Sequence, residues 1–401
     1  MRSLRATSIR RVFPRLRSWL LAMLLACSVA SLMPAVSRAQ PAPRAPTVVV
    51  RGAPTCAGCR VILREVGSFS DDVYDADLRF VRVLGGPGSS LLIAGRDGSL
   101  ALFTASLRFE RVFSRAGSGP GESRLPVISR RMPGDSIAIA DWGLQRVTVY
   151  APDGSRAVRT LPVPRHRDLL PLPGGQFMLS GFLAQPETAG LPLHRIVGSG
   201  VLGGSFGSAA TSVTRDAERL LSRSLAAYTD GRFLAARTDR YRIEQWSVAG
   251  VLERVLEREA SWFPPAPDAG RTPNFRVARP WPTLTLQAYD PAAQAVWVTS
   301  AIAASDWQPD AAASTRGDEV ASTREPMSVY VHRFHETVFE LLDADNGRVL
   351  TARRERGVFA PVAGTPLVWK AEERTDGSIL VRVYRLEVEG LPTHPRGARD
   401  R

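Results

Sequence analysis

At 401 residues and 44% hydrophobic content, the chain is long enough for one large domain or two ordinary ones, and 33 glycines with 30 prolines suit a chain of many turns. The formal charge of +13 is concentrated at the ends: residues 1–39 carry seven arginines and no acid, the tail after Gly390 adds +2, and the body holds only +4. So dilute a charge argues against nucleic acid, because a phosphate-binding footprint needs basic residues gathered on one face or helix, and Lys370 is the chain's single lysine.

Residues 1–39 read as a signal peptide. An arginine-rich start is followed by an apolar run from Trp19 to Ala26 and by Ser37-Arg38-Ala39, which has small residues where a signal peptidase cuts. The apolar run is short for a membrane span. The expected location is periplasmic or extracellular. Leu24-Leu25-Ala26-Cys27 also resembles a lipobox, and lipidation of Cys27 is the alternative, giving an anchored lipoprotein.

Residues 40–55 read as a Pro/Ala linker. Cys56 and Cys59 follow as Cys-Ala-Gly-Cys. In an exported chain a disulfide is the expected form, with a redox dithiol or a metal role as alternatives. Haem attachment would need His at position 60, where Arg stands. His332 and His335, three apart in an expected strand, would point to opposite faces and make no ligand pair.

Val61–Phe69 reads as an isolated strand with no hairpin partner nearby. Then similar meanders recur. Residues 78–115, 125–162, 168–207, 220–259 and 283–355 each carry four short strands, punctuated by Asp-Gly, Asn-Gly or Gly-Gly turns. Residues 357–390 carry only three. One such meander cannot bury its own apolar faces, so the copies must stack. The strand at 61–69 supplies the missing fourth strand of the last copy. The fold class is therefore all-β, a six-bladed β-propeller closed by the N-terminal strand, which also removes an open sheet edge. Two tandem sandwiches are the other architecture that such strand spacing allows. Helical periodicity is scarce, and 216–226 is the best case for one short helix. The domain spans 56–390, with 391–401 as a basic tail.

Gly117-Ser-Gly-Pro-Gly-Glu122, then Ile137-Ala-Ile-Ala-Asp141 and Arg146-Val-Thr-Val-Tyr150 with the Asp153-Gly154 turn, resemble secreted bacterial six-bladed β-propellers with NHL-like repeats. The Cys-x-x-Cys before Val61 and the stretch from Thr337 to Arg354 are also similar to that group. The resemblance implies fold more than activity, and the third and fifth copies keep little of the repeat.

In a four-stranded blade, the turns joining strands one to two and three to four lie on one face of the disc. The turns joining two to three, and the crossings between blades, lie on the other. The long connections (115–124, 183–191, 259–282 and 303–328) all belong to the second face, which is where binding is expected. Segment 259–282 interleaves Trp262, Phe263, Phe275 and Trp281 with Arg271, Arg276 and Arg279, residue types that dominate binding hot spots. The plain alternative is that these aromatics pack the blade crossing. Trp307 is the one aromatic residue of 303–328. Glu122 is expected to support its own loop through backbone amides, or else to face the pore. Asp141 and Arg146 are expected to ion-pair across a turn.

Some six-bladed propellers are lactonases or related hydrolases that hold calcium at the central pore with converging Glu, Asn and Asp side chains. The inner strands as read here (LRFVRVL, PVISR, LLPL, SLAAY, LTLQAY and VFAPV) carry no acid or Asn, so calcium lacks inner-strand ligands. No catalytic constellation is present in the sequence. The function expected is a non-catalytic binding module for a protein, peptide or glycan of the cell envelope, a monomer with no cofactor and no transmembrane segment after signal removal. A calcium-dependent hydrolase or a lyase, and a structural accessory of an envelope complex, are the alternatives.

Overall fold

The computed structural model describes residues 45–71, 78–183, 188, 190–207, 221–229, 231–266, 275–309 and 331–391. The readings of the signal peptide, Cys27, Arg271 and the basic tail beyond residue 391 lie outside these residues. Among the described residues no helix is long and apolar enough to cross a membrane.

The described residues build 25 strands in six sheets arranged as a propeller. Two strands come before the first complete blade: β1 (Thr47–Val50) and β2 (Arg60–Ser70). Blade 1 is β3 (Arg82–Gly85), β4 (Leu91–Ala94), β5 (Leu100–Phe103) and β6 (Phe109–Ser114). Blade 2 is β7 (Pro126–Arg131), β8 (Ile137–Asp141), β9 (Arg146–Tyr150) and β10 (Ala157–Pro162). Blade 3 is β11 (Asp168–Leu172), β12 (Gln176–Ser180), β13 (Leu193–Val197) and β14 (Val201–Phe206). Blade 4 is β15 (Arg223–Ala227), β16 (Arg232–Arg237), β17 (Arg242–Ser247) and β18 (Leu252–Arg258). Blade 5 is β19 (Thr283–Asp290), β20 (Ala295–Ala303), β21 (His335–Asp343) and β22 (Val349–Arg356). Blade 6 is β23 (Ala360–Pro361), β24 (Leu367–Glu373) and β25 (Ile379–Glu389), completed by β2.

The ring closes as the sequence required. β2 pairs antiparallel with β25 from Arg60↔Glu389 to Ser70↔Leu380, interrupted by one bulge between Glu65 and Gly67. This first-to-last ladder hydrogen-bonds the two ends of the domain together.

Six apolar clusters fill the spaces between neighbouring blades, and the period-two rule of a strand explains how. On β4, Leu91 and Ile93 face blade 6, while Leu92 and Ala94 face blade 2. On β16, Leu234 and Ala236 face blade 5, while Phe233 and Ala235 face blade 3. A middle strand covered on both sides must be apolar at every position, hence runs such as Leu91-Leu-Ile-Ala94. Each fully buried Leu or Phe in these layers stabilises the fold by about 1.5–3 kcal/mol.

Three local expectations are corrected. Within the expected linker, Thr47–Val50 form β1, which adds to the outer edge of blade 4 as a parallel fifth strand. Three consecutive valines favour an extended strand, and Val50 enters the apolar layer between blades 4 and 5. Of the short helix expected at 216–226, Leu221 is helical but strand β15 starts already at Arg223, and 216–220 lie outside the described residues. His332 and His335 do not share a strand: His332 sits in a single 3-10 turn, Val331–Arg333, and His335 opens β21.

Candidate functional site

The two faces of the disc differ in a way that follows from strand direction. Turns joining strands one to two and three to four within the blades are three to six residues long, as at 86–90, 151–156 and 198–200. Every connection of eleven residues or more (71–81, 115–125, 181–192, 207–222, 259–282 and 304–334) belongs to the opposite face. Two of these, 259–282 and 304–334, flank blade 5 and touch: Trp307 Nε1 donates to the Phe275 carbonyl at 3.0 Å. Phe275 also packs its ring against Phe334 and His335, each 5.6 Å away between centroids.

The aromatics of 259–282 serve mainly as packing. Phe263 is buried in the layer between blades 4 and 5. Trp262 is partly buried against that layer, edge-on to Tyr241 at 6.0 Å and to Phe263 at 5.9 Å. Arg279 is exposed, whereas Arg276 and Trp281 are half-buried and both make contacts.

Beside Trp262 a groove of about 460 Å³ opens between blades 4 and 5, walled by Gly52–Pro54, Arg258–Trp262 and the facing strands β21 and β22. Its floor is a buried polar triad that sequence reading missed. Glu340 accepts from the Tyr241 hydroxyl at 2.6 Å and from Arg258 at 3.0 Å, and both charged side chains are buried. Burial, and then the neighbouring carboxylate, hold the Tyr241 phenol well above its ordinary range. Burial also raises the Glu340 carboxyl, against the Arg258 guanidinium, which pulls it down. Arg258 further donates to the Gly52 carbonyl at 3.2 Å, and Arg51 clamps Glu259 at 2.6 Å. The N-terminal arm is thus part of the groove. Only the alternation Arg258-Glu259 in the sequence hinted at any of this, since Glu340 and Tyr241 come from different blades.

The glycine-rich loop is built to hold itself. Glu122 accepts from the Gly119 amide at 2.6 Å. A β-carbon at Gly117, whose φ is +157°, would lie 2.1 Å from that carboxylate and push it off the Gly119 amide. The expected Asp141–Arg146 ion pair is replaced by two separate tasks. Asp141 accepts from the amides of Arg124, Leu125 and Leu144, while Arg146 donates to the carbonyls of Ser118, Gly119 and Glu122. Both residues face each other in register yet are drawn to backbone groups that no strand ladder satisfies. Glu122 and Asp141 therefore spend their carboxylates on the loop.

Cys56 and Cys59 are joined as a disulfide, with Cα atoms 5.3 Å apart. It sits where the arm passes from blade 5 to blade 6: Cys56 N donates to Leu350 O, and Thr351 Oγ1 donates to Cys59 O.

At the centre of the ring, the inner strands do carry an acid. Asp168 opens β11, one residue before the point where the apolar pattern put the strand start. The Arg130 guanidinium, 4% exposed, meets Asp168 at 2.9 Å and donates to the carbonyls of Leu169 and Leu225. Asp168 in turn accepts from the amides of Leu169 and Leu225. A β-carbon on Gly364 would lie 3.2 Å from Arg130, so blades 2, 3, 4 and 6 meet around one side chain. The Arg130 guanidinium already neutralises Asp168, an arrangement that does not suit a calcium ion held by this carboxylate. Among the described residues no three His, Cys, Asp or Glu side chains gather as metal ligands.

No family model and no curated protein matches the sequence. Among solved structures, the chain is similar to a member of the DUF4221 family from Bacteroides vulgatus ATCC 8482, at 11% identity and a TM-score of 0.51, covering 82% of this chain and 98% of that one. It is also similar to a Bacteroides fragilis NCTC 9343 protein named for its inferred export, at 11% identity and a TM-score of 0.52, covering 84% and 99%. At this identity the likeness establishes the six-bladed fold alone.

Proposed function

We propose that the protein is an exported, non-catalytic binding module that holds a protein or peptide segment, or a glycan, of the cell envelope on its loop-rich face. The observation that carries this reading is the sorting of connections, with every long one on one face and only tight turns on the other. Two long connections of this face join through Trp307 and Phe275, and charges of both signs line the groove at Trp262, a mixed surface suited to a polypeptide. The inferred export of a similar Bacteroides protein supports an extracytoplasmic location, periplasmic or extracellular, as does the signal-like start of the chain. The repeat unit from Gly117 to Gly154 is read as NHL-like on its strand and turn pattern.

The test is retention of envelope proteins and of cell-wall glycan on the immobilised protein. Retention should be lost in Trp262→Ala combined with Trp281→Ala, assayed at a temperature where circular dichroism shows the variant folded. It should persist in Asp153→Ala, which alters a tight turn on the other face. Retention that survives the double substitution overturns the proposal.

A further inference from the structure

On the face of tight turns, a second cavity of about 470 Å³ opens where blades 6, 1 and 2 meet, beside the axial Arg130. Its walls are the β3–β4 turn, the β23–β24 turn and the ends of β7 and β8. The volume suits a ligand of one or two sugar rings. The chemistry of the lining is one-sided: two guanidiniums, Arg131 and Arg385, and the hydroxyl-bearing Ser89, Ser90, Ser129 and Thr365, with no carboxylate among the lining residues.

Two of these residues have capacity left over. Arg131 donates to the Gly88 carbonyl, and its one ionic contact among the described residues, with exposed Asp135, is long at 3.8 Å, which leaves most of its five N–H donors for another acceptor. Ser129, 1% exposed, lies in the cavity wall, and its hydroxyl has no hydrogen-bond partner among the described residues. An unpartnered buried hydroxyl costs about 1–3 kcal/mol and calls for a reason.

We propose that this cavity binds a small, hydroxyl-bearing organic anion, the carboxylate or phosphate group lying between Arg131 and Arg385 and the hydroxylated body against the serine-lined wall. Guanidinium groups favour planar oxyanions, which they hold through paired, charge-assisted hydrogen bonds. The site is independent of the loop-rich face.

Isothermal titration of the purified chain at fixed ionic strength tests it with three probes: glucuronate, glucose 6-phosphate and neutral glucose. At least one acid should bind with a Kd of about 1 mM or tighter, and glucose far more weakly. Which acid binds identifies carboxylate or phosphate as the anchor. Arg385→Ala and Arg131→Ala, both surface changes, should each weaken binding roughly tenfold. Ser129→Ala should also weaken it while leaving the melting temperature unchanged or higher. Trp262→Ala, on the opposite face, should leave it intact. Equal binding of glucose, no heat from either acid, or full affinity in Arg385→Ala overturns the proposal.

Discussion

Replacing Arg130 by Met removes the charge at the centre of the ring and keeps most of the side chain's bulk. In the wild-type protein its guanidinium joins Asp168 at 2.9 Å, with 4% and 12% of the two side chains exposed, and donates to two carbonyls on blades 3 and 4. The variant leaves a buried carboxylate without its counter-charge, and losing one partner of such a pair costs about 3–5 kcal/mol. At an unfolding entropy of about 2 cal/mol/K per residue, a ring of this size should melt about 4–7 °C lower. Asp168→Asn leaves the opposite charge stranded and should cost a similar amount, while its remaining carbonyl oxygen still accepts from the Leu225 amide. The double variant strands neither charge. It should therefore cost no more than either single change, a coupling of at least about 3 kcal/mol. Urea midpoints and melting curves of all four proteins give the cycle. Additive costs, or a loss below about 1 kcal/mol in Arg130→Met, would refute the view that this pair ties the blades together.

Two further outcomes follow from local geometry. His332 donates from Nε2 to Ala371 O and accepts the Val358 amide at Nδ1, so both nitrogens are satisfied only in the neutral ring, and burial, then Lys370, lower its pKa to about 4. A depressed folded-state pKa means that its stabilisation is complete above the unfolded value near 6.5 and lost as pH falls toward and below 4. Between pH 7 and 4 the wild-type protein should lose about 3 kcal/mol more than His332→Gln; parallel denaturation profiles would dismiss this assignment. Val50→Asp should drive β1 off the edge of blade 4, because Val50 packs among Leu256, Leu342 and Val349. Hydrogen exchange should then accelerate at the Val255 and Glu259 amides, which donate to Pro46 O and Val50 O, and sedimentation should show self-association through the bared strand. Unchanged exchange at both amides would count against it.

The sequence by itself determined the number of blades, the strand order within each and the closure by Val61–Phe69. These depend on local matters: alternating apolar residues, and turns at Asp153-Gly154 or Asn346-Gly347 that dictate hairpins. It also determined which connections share a face, because strand direction alternates regardless of packing. Only the tertiary structure decided what the side chains there do. Glu122 and Asp141 are spent on backbone amides, Phe263 is core, and the Arg258–Glu340–Tyr241 triad and the Arg130–Asp168 pair join side chains across neighbouring blades, 38 to 99 positions apart. Asp168 escaped notice because one polar residue ahead of an apolar run carries no periodic signal. The landing of Thr47–Val50 on blade 4 was equally hidden: a valine run announces a strand, but the edge that accepts it is chosen by whichever apolar layer is left open for Val50.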